Sequence, residues 1–243
     1  MLPTIQFGPL ALPTDALILL VSFMLALEAS HRSAARLGLN GDDVYNLGYL
    51  AAFAGLIGAR LGFVLQYWPF YQNDLSSIIA LNAQSLSPLA GLAAGLITGH
   101  AYAQSKHLDN LHLLDALTPG LAVMVAGLAL ANLASGDSYG SPTSLPWAVT
   151  MWNAPRHPVQ FYHFLAAVII GAIVVRSPRP FPGAHFGVFV ALYAASLLVL
   201  EAFHGDSAAI AGVRQTEVAA FAVLMAALVL LRHWATKAER RQT

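Results

Sequence analysis

Seven apolar stretches, over 15–30, 44–66, 86–103, 111–133, 159–176, 183–203 and 215–233, take up most of this chain. Each is near the roughly 20 residues an α-helix needs to cross a hydrocarbon core. No water is available there to bond to backbone N–H and C=O groups, so a spanning segment must satisfy its own as a helix or close into a barrel. Barrel strands alternate over about ten residues, whereas these runs are continuous. The pattern predicts an all-α polytopic membrane protein with seven transmembrane helices, forming a single domain over residues 1–243. Composition agrees: 57% of residues are hydrophobic and only 10% charged, against about a quarter charged in a soluble domain. A short amphipathic piece, Leu75 to Leu81, falls between the second and third runs and is expected on or dipping into the membrane surface.

Basic residues give an orientation. Arg32, Arg36, Lys106, Arg176, Arg179, Arg232, Lys237, Arg240 and Arg241 fall on the side of the C-terminus. Only Arg156 and Arg214 fall on the other side, and Arg60 lies within a span. The positive-inside rule then places the N-terminus outside and the C-terminus in the cytoplasm. An odd number of spans agrees with ends on opposite sides. The loop at about 134–158 faces outward in this arrangement, so any chemistry belongs on the outer side.

Composition also excludes whole classes of function. The formal net charge is zero, so no overall basic field draws the chain to nucleic acid. No cysteine is present, which removes disulfides, thiolate metal sites and a cysteine nucleophile. None of the nine histidines stands in a His-x-x-x-His pair, so neither a metal nor another cofactor is expected. The N-terminus has no Lys or Arg ahead of its first apolar run and does not read as a cleaved signal peptide.

A few polar residues then need a reason. Asn132 and Asp137 sit at the edge of the apolar stretch Asp115 to Gly140 and could form a polar floor for a lipid head group or a peptide. Arg60, in GLIGARLGFVLQYW, costs about 2.5–3.5 kcal/mol in hydrocarbon on insertion scales and should face inward with a partner. That partner is either a carboxylate, at Asp137 or Glu201, or a lipid phosphate, since a guanidinium fork suits both. Gly55, Gly58 and Gly62 would let a neighbouring helix approach that face. Glu201 reads first as an interfacial carboxylate and only second as a site residue. Arg156 and His157, bracketed by Pro155 and Pro158, form a rigid basic pair suited to an anionic head group or to anchoring at the interface; Gln160 and Tyr162 follow.

These residues together resemble a known family. GARLG at 58–62, the stretch Asp115–Gly140 and PRHPVQFY at 155–162 are similar to the motifs of the prolipoprotein diacylglyceryl transferases. In the second of these, Asp115, Pro119, Asn132, Gly136 and Gly140 fall on signature positions, and Asp137 stands where the family has Glu. GVFVALYAASLLVLE at 187–201 and GVRQTE at 212–217 are looser echoes. The resemblance implies a seven-span enzyme of the bacterial plasma (inner) membrane that moves diacylglycerol from phosphatidylglycerol to a lipoprotein cysteine. It implies His157 and Asp137 as catalytic residues. It implies Arg60, Asn132, Gly140, Arg156, Gln160, Glu201 and Arg214 as substrate-binding residues, with the lipoprotein signal peptide as a further partner. Four family features are replaced. An arginine expected on lipid phosphate falls on Ala129, and a second functional arginine falls on Leu197. The His-Gly-Gly of the third span falls on Leu89, Ala90 and Gly91, and the Trp-Tyr-Gly of the first on about Thr14, Asp15 and Ala16.

Two functional readings follow. One is a divergent diacylglyceryl transferase; the other is a catalytically impaired relative that binds lipid or serves as a structural subunit of a membrane assembly. A transporter would want paired carboxylates or broken helices at mid-membrane, and only Arg60 and Glu201 stand out. The topology is open to a direct check. A reporter fused at Thr243 should be active only as a cytoplasmic reporter; activity of an export-dependent reporter there would overturn the orientation and the outward placement of the 134–158 loop.

Overall fold

The computed structural model describes residues 4–7, 10–79, 85–205, 209–210 and 213–240. Long helices account for most of them: α1 (Thr14–Arg36), α2 (Gly41–Gln66), α4 (Pro88–Ser105), α5 (Asn110–Ser135), α6 (Val159–Arg176), α7 (Ala184–Leu200) and α8 (Gln215–Glu239). Each coincides with one of the seven apolar runs. Six are long and apolar enough to cross a membrane, all but α4. The 18 residues of α4 are diluted at its C-terminal half by Thr98, His100, Tyr102, Gln104 and Ser105. The short helix α3 (Trp68–Tyr71) and a 3-10 turn at Leu75–Ile78 follow α2. The amphipathic piece expected over Leu75–Leu81 is thus a 3-10 turn as far as it can be followed, and its end lies outside the described residues. Among the described residues there are also three two-stranded hairpins: β1–β2 (Thr4–Phe7, Leu10–Pro13), β3–β4 (Val149–Met151, Ala154–Arg156) and β5–β6 (Ala209–Ile210, Val213–Arg214).

Two compact units are built from these elements, one of residues 34–113 and the other of residues 1–33 with 114–243. In the first, α2 and α4 meet along a seam of small residues. A Cβ on Gly91 would lie 2.8 Å from the Gly55 carbonyl oxygen and 2.9 Å from the Ala59 Cβ. Gly58 and Gly62 abut the Cβ atoms of Ala94 and Ala90 so closely that no side chain fits. Lipid tails are as apolar as leucine, so helices in a bilayer gain little from burying apolar surface and rely on close backbone approach. The three glycines flanking Arg60 play the part their spacing suggests.

Arg60 itself is 7% exposed, and its partners differ from those expected. Its Nε donates to the Ile78 carbonyl (2.8 Å) and Nη2 to that of Ser77 (2.6 Å). Nη1 donates to both the carbonyl (3.1 Å) and the hydroxyl (2.5 Å) of Ser85. The Tyr71 ring lies under the guanidinium, 5.3 Å from centroid to Cζ. The carboxylate partner expected at Asp137 or Glu201 is therefore corrected to a cage of carbonyls from the α2–α4 connection. The reason is geometric: a 3-10 turn ends in carbonyls without intrahelical partners, and a planar fork with five donors can collect several at once.

In the second unit, α1 lies against α5 where Gly120 meets Ser30 and the Ala26 carbonyl, and Gly127 meets Ser22. Ala122 of α5, Val174 of α6 and Phe189 of α7 form a buried cluster, and Gly171 leaves room for Ala122. Asp115, 1% exposed, joins α5 to the start of α7. Its carboxylate accepts from the backbone N–H groups of Gly183 (2.7 Å) and Phe186 (3.1 Å), with Arg179 Nη1 at 3.5 Å. Those N–H groups are orphans of a helix start, where a carboxylate is well placed.

Two predictions follow from the first unit. Gly91→Val should cost about 1–3 kcal/mol through overpacking against backbone. Gly99→Ala should be close to neutral, because its new Cβ meets only Ala51 Cβ and Leu47 Cδ2, at 3.6 and 3.7 Å. Unfolding in detergent measures both, and equal effects would refute the seam. Arg60→Met should destabilise by at least the about 1–3 kcal/mol of one buried acceptor left unpaired; an unchanged melting curve would show that the cage contributes nothing.

Candidate functional site

The loop between α5 and α6 is a built structure. Gly136 ends α5 at φ 85°, a left-handed conformation that glycine adopts without strain. Strands β3 and β4 pair in the register Val149↔Arg156 and turn at Trp152–Asn153, both at positive φ as a two-residue hairpin requires. Trp152 Nε1 donates back to the Gly136 carbonyl at 3.1 Å. Gly140 bridges to His204 and packs so tightly on His157 that a Cβ there would collide with the His157 carbonyl. Ser141 N–H donates to the Phe203 carbonyl (2.8 Å) and Gly205 N–H to that of Tyr139 (3.0 Å). The loop is thereby laced to the segment after α7.

The one arginine of this loop serves its backbone. Arg156 donates from Nε to the Met151 carbonyl (3.2 Å) and from Nη1 to that of Gly140 (3.1 Å), and lies over the Tyr139 ring at 4.8 Å. Asp137 is exposed, and its carboxylate accepts from Ser135 Oγ at 2.8 Å. His157 Nδ1 is 3.4 Å from the Tyr162 hydroxyl, which accepts from Trp147 Nε1 at 2.9 Å; the His157 ring packs on Phe203. Arg214 donates from Nη1 to the main-chain carbonyl of Glu201, and its distance to Glu201 Oε1 is 4.0 Å.

A cavity of about 610 Å³ lies among α5, α6, α7 and α8. Leu121, Val125 and Leu128 from α5, Phe189, Val190 and Tyr193 from α7, and Ala219, Ala220 and Val223 from α8 supply its largely apolar wall. Asn132, Ser138, Gln160, His163, Glu201, His204 and Thr216 supply its polar groups. Ala129 and Leu197, the positions at which the resemblance leads one to expect two family arginines, also line it. Among the described residues, no Lys or Arg lines it.

Of the residues singled out from sequence, the cavity gathers Asn132, Gln160 and Glu201. Asp137, Gly140, Arg156, His157 and Arg214 frame the neighbouring loops but are not among its lining, and Arg60 belongs to the other unit. Gln160 is the best held: it is 1% exposed, and its Nε2 donates to the Asp137 carbonyl at 2.8 Å. Asn132 Nδ2 reaches Ser138 Oγ at 3.5 Å. The site also holds a pair that no motif marks, His163 and His204, whose Nε2 atoms are 2.9 Å apart. The two histidines are 41 residues apart in sequence, in a helix and a loop, and no local spacing announces the contact. Among the described residues no group of three or more His, Cys, Asp or Glu is arranged to hold a metal ion.

Comparison with known proteins places this arrangement. The phosphatidylglycerol–prolipoprotein diacylglyceryl transferase of Clostridioides difficile is 26% identical over 189 residues, 77% of this chain and 76% of its own. The enzyme of that name from Finegoldia magna is 28% identical over 178 residues, 72% of each chain. That from Streptococcus pyogenes serotype M5 is 24% identical over 240 residues, 93% of this chain and 92% of its own. The family profile of the prolipoprotein diacylglyceryl transferases matches residues 3–233. With that match over nearly all its length and six helices apolar enough to span a bilayer, the chain is a multi-pass membrane protein that belongs to the prolipoprotein diacylglyceryl transferase family.

Proposed function

We propose that this protein is a glycerolipid-binding member of its family in the bacterial inner membrane, and that it transfers diacylglycerol from phosphatidylglycerol to a lipoprotein cysteine poorly. In this reading all seven long helices span the bilayer as one domain, with the N-terminus outside and the C-terminus in the cytoplasm. The relatives' names supply the lipid and the lipoprotein. The observation that carries the impairment is the cavity wall at Ala129 and Leu197, where aliphatic side chains stand at the positions of the family arginines.

The chemistry explains why this matters. In the transfer, a cysteine thiolate bonds to a glycerol carbon as the bond from that carbon to the phosphate oxygen breaks, and the electron pair leaves with the phosphate. Donors or positive charge must stand where that negative charge develops, and losing one such group typically costs about 100- to 1,000-fold in rate. Lipid binding depends less on it, since apolar contact along α5, α7 and α8 is the same in ground and transition states. Arg156 and Arg214 are poor substitutes, because their guanidinium groups already donate to main-chain carbonyls. His157 is the candidate to accept the thiol proton, and Asp137 the candidate carboxylate beside the site.

The test is transfer from labelled phosphatidylglycerol to a lipobox peptide by the purified protein, run beside a relative that keeps both arginines. Turnover should be lower by at least about 100-fold, and the Ala129→Arg/Leu197→Arg double variant should recover part of it. Turnover equal to the relative's would show that the absent arginines are not limiting.

A further inference from the structure

The loop between α5 and α6 is apolar where a loop in water would be polar. No residue from Ser138 to Pro155 is charged. Leu145, Trp147, Val149 and Trp152 are nonetheless exposed, the two indoles by 57% and 61%. Both indole N–H groups are turned inward: Trp147 Nε1 donates to the Tyr162 hydroxyl and Trp152 Nε1 to the Gly136 carbonyl. The hydrocarbon parts of the rings are therefore what is left outside, and a ring with its donor already satisfied gains nothing from facing water.

This surface looks toward the bilayer. The loop starts and ends on α5 and α6, both apolar enough to span. Alternate residues of a strand share a face, so Val149 points with Met151, which is buried and whose Sδ lies 3.8 Å from Gln160 Nε2 in the first turn of α6. Thr150 points the other way and is exposed. The apolar face of β3 is thus turned toward the helix ends and its polar face away from them. Trp147 is bonded to Tyr162 in that same turn, and beside it Phe161 begins an exposed stripe with Leu165, Val168, Ile169 and Ile173. That spacing runs along one side of a spanning helix, the side that lipid covers. The hairpin surface is continuous with it.

We propose that the β3–β4 hairpin is a membrane-interface anchor, with Leu145, Trp147, Val149 and Trp152 set into the head-group layer, the level at which tryptophan is favoured. Its partner is the lipid surface itself. With no cation among these residues, seating the hairpin requires no anionic lipid. The anchor fixes the segment that carries the Asp137 carbonyl and Ser138, the groups bonded to Gln160 and Asn132 at the cavity. It is independent of what the cavity binds and of whether transfer occurs.

The chain has no cysteine, so a nitroxide can be attached at single sites: Leu145→Cys and Val149→Cys, with Ile169→Cys as the lipid-facing reference and Lys106→Cys as the aqueous one. The full chain is placed in phosphatidylcholine nanodiscs, and power saturation measures each label's access to oxygen, which concentrates in lipid, and to a nickel chelate, which stays in water. The oxygen-to-nickel ratio at both hairpin sites should exceed that at position 106 at least threefold. It should not change when a third of the lipid is replaced by phosphatidylglycerol. A ratio equal to that at position 106 would overturn the anchor. Shielding from both reagents would overturn it as well, since protein, such as a second copy of the chain, would then cover the surface. A ratio that rises twofold or more with phosphatidylglycerol would overturn seating by apolar contact alone. A second measurement leaves the hairpin unsubstituted. In the Trp68→Phe/Trp234→Phe variant, emission from Trp147 and Trp152 should be quenched by phosphatidylcholine brominated high on its acyl chain and not by aqueous iodide; the reverse would overturn the proposal.

Discussion

Helices in hydrocarbon have no solvent to push them together, and this structure depends on the substitute: close approach through glycine, alanine and serine. The α2–α4 seam and the α1–α5 contact use the same device, at Gly55, Gly58, Gly62 and Gly91 in one unit and at Gly120 and Gly127 in the other. The device also explains where space remains. Along the cavity, α5, α7 and α8 present larger side chains such as Leu121, Phe189, Tyr193 and Val223, and an opening of about 610 Å³ is left among them.

Charge is used sparingly and mostly on the backbone. Arg60 gathers carbonyls of the α2–α4 connection, Arg156 those of Met151 and Gly140, and Arg214 that of Glu201. Asp115 does the converse, collecting N–H groups at the start of α7. Each guanidinium or carboxylate satisfies main-chain groups that a helix end or a tight turn leaves without partners. These cations therefore act as staples for connections, and none of them is among the described residues of the cavity wall. The same economy that stabilises the loops argues against stabilising a leaving phosphate.

Much of the helical architecture was legible before any coordinates. A long apolar run in a chain with so few charges has one stable backbone solution, so the run at 159–176 reappears as α6 residue for residue, and those at 44–66 and 215–233 as α2 and α8, each longer at one end. Irregular segments were less legible. The partners of Arg60 were expected among carboxylates because a charge in a span suggests an opposite charge. Carbonyls 17–25 residues away along the chain took that place, and no side-chain pattern encodes the aim of a carbonyl. The β3–β4 hairpin was missed for a related reason: Trp152 is an unusual residue at positive φ, and only its bond to the Gly136 carbonyl explains its position.

The amino-acid sequence by itself determined the helices and the family, because these depend on local composition and on motif spacing. Tertiary structure decided that Ala129 and Leu197 share one cavity with Asn132, Gln160 and Glu201, and that His163 meets His204. It also decided that Arg156 and His157 lie beside that cavity without lining it. The physical reason is that a site in a helical bundle is assembled from single residues on several helices. Which faces meet is set by packing of small residues over the length of the bundle, and no one segment carries that information.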